Sequence, residues 1–255
     1  MKTFLAVTAG MLALAVVPAG AADLELPTKA PPPAYNWTGF YFGGNVGYGN
    51  GEDLFTDAPA PPATPFGAFT TNMAIKSNGF FGGGQAGFNY QFAHSWVIGV
   101  EADADGSGIN GSAQYCAIAL NCTSTTVRLD DFGTVRGRLG YAWNNVLVYG
   151  TGGWAWGQGK VNSSTTSGVI VDNTNSMSGW TAGAGLEVGL LSFPGWTVRL
   201  EYLHIQFDNV NDLFPVPLNS RTVGIAPVSA VDRFDTLRFG VNYLFNFGPA
   251  PIMPR

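Results

Sequence analysis

Leu237-Arg238-Phe239-Gly240-Val241-Asn242-Tyr243-Leu244-Phe245-Asn246-Phe247 sets Leu237, Phe239, Val241, Tyr243, Phe245 and Phe247 on one parity. Arg238, Asn242 and Asn246 fall on the other. Apolar–polar alternation of period two marks a strand with one greasy face and one polar face. The pattern recurs upstream. Phe40, Phe42, Gly44, Val46 and Tyr48 oppose Tyr41, Gly43, Asn45 and Gly47, and Phe88, Tyr90 and Phe92 oppose Gln85, Asn89 and Gln91. Trp96, Ile98, Val100, Ala102 and Ala104 oppose Gly99, Glu101, Asp103 and Asp105, while Val135, Gly137, Leu139 and Tyr141 oppose Thr134, Arg136 and Arg138. A glycine-blurred run follows over 146–157. Then Trp180, Ala182, Ala184, Leu186, Val188 and Leu190 oppose Thr181, Gly183 and Glu187, and Trp196, Val198, Leu200 and Tyr202 oppose Thr197, Arg199 and Glu201. The closing stretch is thus the eighth of its kind.

Spacers alternate between long and short. Long stretches rich in Gly, Pro, Ser and Asn separate runs one and two, three and four, five and six, and seven and eight. Ala93-His94-Ser95, residues 142–145 and residues 192–195 are tight turns. Runs of about ten residues, long connections at one end and tight turns at the other describe an outer-membrane barrel. The expected fold is all-β, an eight-stranded antiparallel up-and-down transmembrane β-barrel with four long extracellular loops and short periplasmic turns. Trp37, Tyr48, Phe92, Trp96, Tyr141, Trp196 and Phe247 fall at strand ends, where interfacial aromatic girdles lie.

Composition agrees. The 255 residues hold 35 glycines and 13% aromatics but only 11% charged side chains, against about 25% charged in a soluble domain. A lipocalin-like soluble barrel would need more charge on its water-facing side. Lys+Arg total 12 against Asp+Glu 17, which excludes a basic nucleic-acid surface, so no nucleic-acid partner is expected.

Residues 1–21 read as a signal peptide, with Lys2, an apolar core from Phe4 to Val17 and a small-residue cleavage site at Ala21. Residues 22–36 hold Pro27 and Pro31 to Pro33 and read as a periplasmic tether. Residues 37–247 are the barrel and 248–255 a short tail. No later run of 18 apolar residues offers a transmembrane helix.

Inward parity gathers Glu101, Asp103, Glu187 and Glu201 with Arg136, Arg138, Arg199 and Arg238. These charges could line a channel. They could equally form a satisfied network, because about eight strands leave an interior just wide enough for side chains, and buried charges need partners. The near balance of acid and arginine favours a plug over a wide pore. One connected cluster is expected around Glu101, Arg136, Glu187, Arg199 and Glu201, with Arg238 nearer the outside.

Other motifs carry less. Gly82-x-Gly84-x-x-Gly87 fits a dinucleotide fingerprint in letters, but it lies inside a strand with no helix following. Asp103-Ala104-Asp105-Gly106 places its glycine too early for a calcium loop. His94 and His204, the only histidines, fall at opposite ends of the barrel and cannot share a metal or a dyad. No catalytic set, metal site or cofactor is expected. Cys116 and Cys122, six apart in the second long connection of an exported chain, read as a disulfide.

Trp37-Thr38-Gly39-Phe40-Tyr41, residues 133–141, residues 180–187 and Leu237-Arg238-Phe239-Gly240-Val241-Asn242-Tyr243 together resemble the small porin-like outer-membrane proteins of alphaproteobacteria, the RopB type, similar in fold to the OmpA membrane barrel. The resemblance covers 37–247 and implies an abundant, surface-exposed envelope protein. It also implies that Tyr243, Phe245 and Phe247 form the barrel-assembly machinery's signal, although here Gly248 to Arg255 follow the last aromatic. The expected function is a non-enzymatic, structural outer-membrane barrel. Outer-membrane lipid, lipopolysaccharide and the assembly machinery are its expected partners, and the loops are its route to any external ligand. A small-solute porin is the second reading and a barrel enzyme the third.

Overall fold

Alternating residues must bury one face and solvate the other, and a closed ladder does this while leaving no unpaired strand edge. The computed structural model describes residues 35–57, 72–118, 121–165, 168, 170–208, 210–217 and 223–246, with the main chain alone at 52–57, 72–74, 115–118, 121–123, 163, 165, 171, 210–217 and 223–232. The expected signal peptide with Ala21, the expected tether to residue 34, Phe247 and residues 248–255 lie outside the described residues.

Among the described residues nine strands form one sheet: β1 (Gly39–Asp57), β2 (Asn72–Phe92), β3 (Trp96–Ile118), β4 (Asn121–Trp143), β5 (Val146–Thr165), β6 (Ile170–Gly189), β7 (Trp196–Phe207), β8 (Val210–Pro217) and β9 (Val223–Asn246). All pairings are antiparallel and β9 returns to β1. Strand β7 lies along 233–243 of β9 and β8 along 223–230, so these two make one stave. The ring therefore has eight staves, up and down.

Register fixes the geometry. Paired residues lead once around from Gly39 through Asn89, Gly99, Arg138, Thr151, Gly183, Leu203 and Thr236 to Gly49, a stagger of ten residues. Such a stagger on eight strands tilts them by about 35–45° and leaves a bore that side chains fill.

The staves are longer than the alternation alone predicts. Strands β1 to β6 and β9 run from 19 to 24 residues, whereas crossing a bilayer takes about 9–11. Much of the sequence expected as long loops continues the ladder: β3 and β4 stay paired to Ile118↔Asn121, and β5 and β6 to Ser164↔Ile170. Thr, Ser and Asn on both parities there hide the period from a hydropathy reading.

The outward face carries no charge at 40–48, 80–92, 96–108, 133–143, 146–156, 180–188, 196–202 and 237–245. It exposes Val46, Ile98, Val100, Leu139, Leu186, Leu200 and Phe239, with Val100 61% accessible. So large an apolar surface belongs in lipid rather than water.

The interior has three tiers. At the turn end Trp37, Val97, Ala142, Leu147 and Tyr149 form an apolar floor with Tyr35 packed against it. Charged and amide side chains fill the middle. Above them Phe81, Ile109, Leu129, Phe132, Ala155, Met177, Leu203, Ile205, Phe207 and Phe234 form an apolar roof. The roof was not expected from the sequence. It shows that inward and outward preferences exchange along single strands: in β7, Arg199 and Glu201 give way inward to Leu203, Ile205 and Phe207, while outward Leu200 and Tyr202 give way to His204 and Gln206.

Trp37 departs from its expected place in the outer girdle and is fully buried in the floor. Gly39, at φ +154°, is the first residue of the ladder, next to the buried Trp37 segment, and a side chain there would strike the Phe245 carbonyl. Tyr35 and Asn36, expected in the tether, also pack at the mouth of the barrel.

Candidate functional site: the charged tier inside the barrel

Inward positions two apart on neighbouring staves converge on one depth, because register aligns Glu101 with Arg136, Glu201 with Arg238, and Glu187 with Arg199. Arg136 and Arg138 come from β4, Arg199 and Glu201 from β7, Glu187 from β6, Arg238 from β9, and Glu101 and Asp103 from β3.

Glu101 lies at the hub. It accepts from Arg136 Nη2 at 2.5 Å, from Arg199 Nη1, and from the Tyr41 hydroxyl at 2.6 Å. Arg136 also reaches Asp103 at 2.9 Å and Glu201 at 3.0 Å, and its Nε donates to Thr134 Oγ1 at 2.8 Å. The Thr134 hydroxyl in turn donates to Asp103 at 2.5 Å.

Toward the floor, Arg138 Nη2 donates to Glu187 at 2.8 Å, and its guanidinium lies 3.8 Å from the Tyr149 ring centroid. Cation–π contact of this kind strengthens where water is excluded. Glu187 accepts from the Thr197 hydroxyl at 2.6 Å and from Asn242 at 3.0 Å. The Tyr149 hydroxyl donates to Glu201 at 2.8 Å.

Toward the roof, Arg238 stands 3.3 Å from Asp103, 3.6 Å from Asp105 and 3.8 Å from Glu201, with its guanidinium near the Phe81 ring. A chain of amides completes the tier: Asn45 Nδ2 donates to Gln85, and Gln85 Nε2 donates to Asn242.

All eight charged residues singled out from the sequence meet in this tier, and each is at most 3% exposed. Sequence reasoning left out Asp105, Tyr41, Tyr149, Thr134, Thr197, Gln85, Asn45 and Asn242 as members. Parity places all of these but Tyr149 inward; Tyr41, Thr134, Thr197, Gln85, Asn45 and Asn242 carry no charge to single them out, and Asp105 stands out only as part of the motif resembling a calcium loop. Tyr149 had no such signal, because glycines blur its strand.

The tier is built for mutual neutralisation. Four guanidiniums face five carboxylates, and an isolated buried charge costs several kcal/mol. A nucleophile–base pair is not among its contacts. His94 sits in the β2–β3 turn at φ 67°, and its carbonyl accepts from Gln91. His204 faces outward on β7, 2.9 Å from Asp235, which also accepts from Tyr202 at 2.5 Å. Among the described residues no group of three or more His, Cys, Asp or Glu side chains is placed to hold a metal.

Cys116 and Cys122 are directly opposite in the β3–β4 register, and their side chains lie outside the described residues. Tyr243 and Phe245 face outward on β9, with Tyr243 edge-on to Trp196 at 5.4 Å between ring centroids.

Sequence comparison with known proteins agrees with this architecture. The family described as outer membrane protein beta-barrel domain matches residues 9–245. The 31 kDa outer-membrane immunogenic protein of Brucella melitensis is 34% identical over 260 residues, covering 94% of this chain and 98% of that protein. The 25 kDa outer-membrane immunogenic protein of Brucella abortus is 30% identical over 253 residues, covering 96% and 99%. The 22 kDa outer membrane protein of Rhizobium leguminosarum is 32% identical over 185 residues, covering 72% and 70%. Among solved structures, the outer membrane protein OprG from Pseudomonas aeruginosa superimposes with a TM-score of 0.42 at 13% identity, covering 84% of this chain and 99% of that one.

Proposed function

The chain belongs to the outer membrane protein β-barrel family, and from that premise we propose that this outer-membrane protein is a non-enzymatic envelope component whose lumen is closed to solutes. One observation carries the reading. The bore is filled at mid-depth by ion-paired side chains reaching across it, with Glu101 of β3 joined to Arg199 of β7 and Arg136 of β4 to Glu201 of β7. Apolar tiers lie above and below. A conducting pore needs a continuous wet passage, and no residue of this tier is more than 5% accessible.

In this role the apolar outer face solvates the barrel in lipid and lipopolysaccharide. The assembly machinery inserts it through the aromatic outward face of β9, and the strand extensions meet the exterior. The names of the Brucella relatives, immunogenic outer-membrane proteins, support exposure of that end.

Single-channel recording in planar bilayers tests the closure. The expected record is silent or shows only rare, small steps. Large steady steps from the unaltered protein would replace this reading with a small-solute porin.

A further inference from the structure

Trp37, alone among the five floor residues, does not come from the barrel wall, and neither does the Tyr35 packed against it. Residues 35–38 precede β1 and make no ladder pairing. They run as a strap beneath the turn end of the barrel, joined to the wall by a handful of bonds. The Trp37 backbone N–H donates to Gln91 Oε1 at 2.9 Å, and the Gln91 backbone N–H donates to Thr38 Oγ1 at 3.0 Å. On the far side Asn144 holds the strap twice: its side-chain oxygen accepts from the Tyr35 N–H at 3.1 Å, and its carbonyl accepts from the Trp37 indole at 3.0 Å. Asn144 itself occupies the left-handed region, at φ 55°, in the two-residue β4–β5 turn. The ring of Tyr35 meets Trp37 at a tilt, with 4.8 Å between ring centroids, and lies against the bare main chain of Gly189 on β6. A short strap thus joins β1 to the ends of β2, β4, β5 and β6.

The geometry points to a removable stopper: the strap Tyr35–Trp37 closes the periplasmic mouth of the lumen, and its withdrawal opens the charged tier to the periplasm without opening a path through the barrel. Three features carry this assignment.

First, the strap can leave without breaking the ladder, since Gly39 supplies a conformation open to glycine at the junction. Second, Trp37 shares the buried floor cluster with Tyr149, whose hydroxyl donates to Glu201 and whose ring lies under the Arg138 guanidinium. Removing the indole therefore thins the apolar layer that separates the mouth from the charged tier. Third, the roof is built from β2, β3, β4, β5, β6, β7 and β9 and contains no residue of the strap. It stays closed when the floor opens. The result is a chamber with a single mouth.

This inference rests on the closed-lumen reading, and its test separates the two. In full-length protein carrying Cys116→Ser and Cys122→Ser, Ala142→Cys places a small thiol in the floor, where Ala142 is buried. Reaction with a water-soluble methanethiosulfonate is followed by mass spectrometry in detergent-folded protein, with conductance recorded in parallel. The thiol is expected to react slowly with the strap intact. Asn144→Gly keeps the left-handed turn while deleting the side-chain bond to Tyr35, and should accelerate labelling about tenfold, the equivalent of roughly one lost hydrogen bond. Trp37→Ala should accelerate it further, and both should leave conductance at the level of the unaltered protein.

Fast labelling with the strap intact would overturn the stopper, as would equally slow labelling in both variants once heat-modified gel mobility shows them folded. If Trp37→Ala does not fold, Asn144→Gly alone decides. Steady conductance appearing only in the strap variants would overturn the single-mouth chamber. Steady conductance in the unaltered protein would sink the closed-lumen reading instead, leaving the labelling rates to judge the strap.

Discussion

Tyr41 on β1 donates its hydroxyl to Glu101 on β3 at 2.6 Å, passing over Gly87 on the strand between them. A Cβ at residue 87 would lie 2.3 Å from the Tyr41 hydroxyl oxygen and 2.6 Å from the Val100 carbonyl. Glycine is what lets a phenol from one stave reach the hub carboxylate two staves away. This accounts for the last glycine of Gly82-x-Gly84-x-x-Gly87, a match in letters to a nucleotide-binding motif that sits here in the middle of a strand.

Gly87→Ala should therefore destabilise the barrel by about 1–3 kcal/mol through overpacking. Tyr41→Phe should cost about 1.5–3 kcal/mol by removing a bond to a charged acceptor. Urea titrations of protein refolded in detergent or lipid measure both. If the two losses share the Tyr41–Glu101 contact, the double variant should lose less than their sum; strict additivity would assign the glycine some other role.

Arg136 ties together Glu101, Asp103 and Glu201. Its replacement by Ala leaves those carboxylates facing one another in a site with almost no water access, and should lower stability by about 3–5 kcal/mol. Arg136→Lys should recover part of this loss, since one ammonium cannot serve the three directions a guanidinium serves. A change below about 0.5 kcal/mol would mean the tier is hydrated and its charges screened.

The exchange of faces along β7 predicts opposite tolerances on one strand. Leu200→Arg, facing lipid at 50% exposure, should cost about 2–4 kcal/mol near mid-membrane. Gln206→Arg, outward on the same parity but beyond the apolar band, should cost less than about 0.5 kcal/mol. Leu203→Ala, between them and inward in the roof, should cost about 2–5 kcal/mol by leaving a cavity. Equal penalties at Leu200 and Gln206 would place the lipid boundary elsewhere.

Cys116 and Cys122, opposed in register, should resist thiol reagents until reduced. The bridge should add roughly 2 kcal/mol at most, because the loop it closes is short. Two free thiols in the native, exported protein would remove it.

How much of this was legible in the sequence follows from period two. Glu101, Arg136, Glu187, Arg199, Glu201 and Arg238 stood out because each interrupts a parity otherwise filled by small or polar residues, and a charge inside a narrow bore must find its complement. The roof was illegible for the opposite reason. Phe81, Phe132, Leu203 and Ile205 are apolar residues at inward positions of strands whose outward positions are also apolar one turn of the ladder below, so hydropathy alone cannot say which face they serve. Trp37 misled because an aromatic beside a strand terminus fits an interfacial girdle and an internal floor equally well. Only the buried place of the segment before Gly39 distinguishes them. The upper ladders escaped notice because Thr, Ser and Asn pair through main-chain bonds that leave no alternation to read.

Above the lipid boundary the barrel is an ordinary water-soluble sheet, greasy within and polar without. Its cohesion comes from Leu203, Ile205, Phe207, Phe234 and their inward neighbours, while Arg128, Lys160, Gln206 and Arg233 on its outer surface contribute side chains to solvent. Insertion depends on the band below, and cohesion on the side chains inside. The outward positions of the exposed tier answer to neither requirement, so substitutions there leave the fold unharmed. Sequence drift between strains should concentrate there, residue by alternate residue, with the inward partners held fixed.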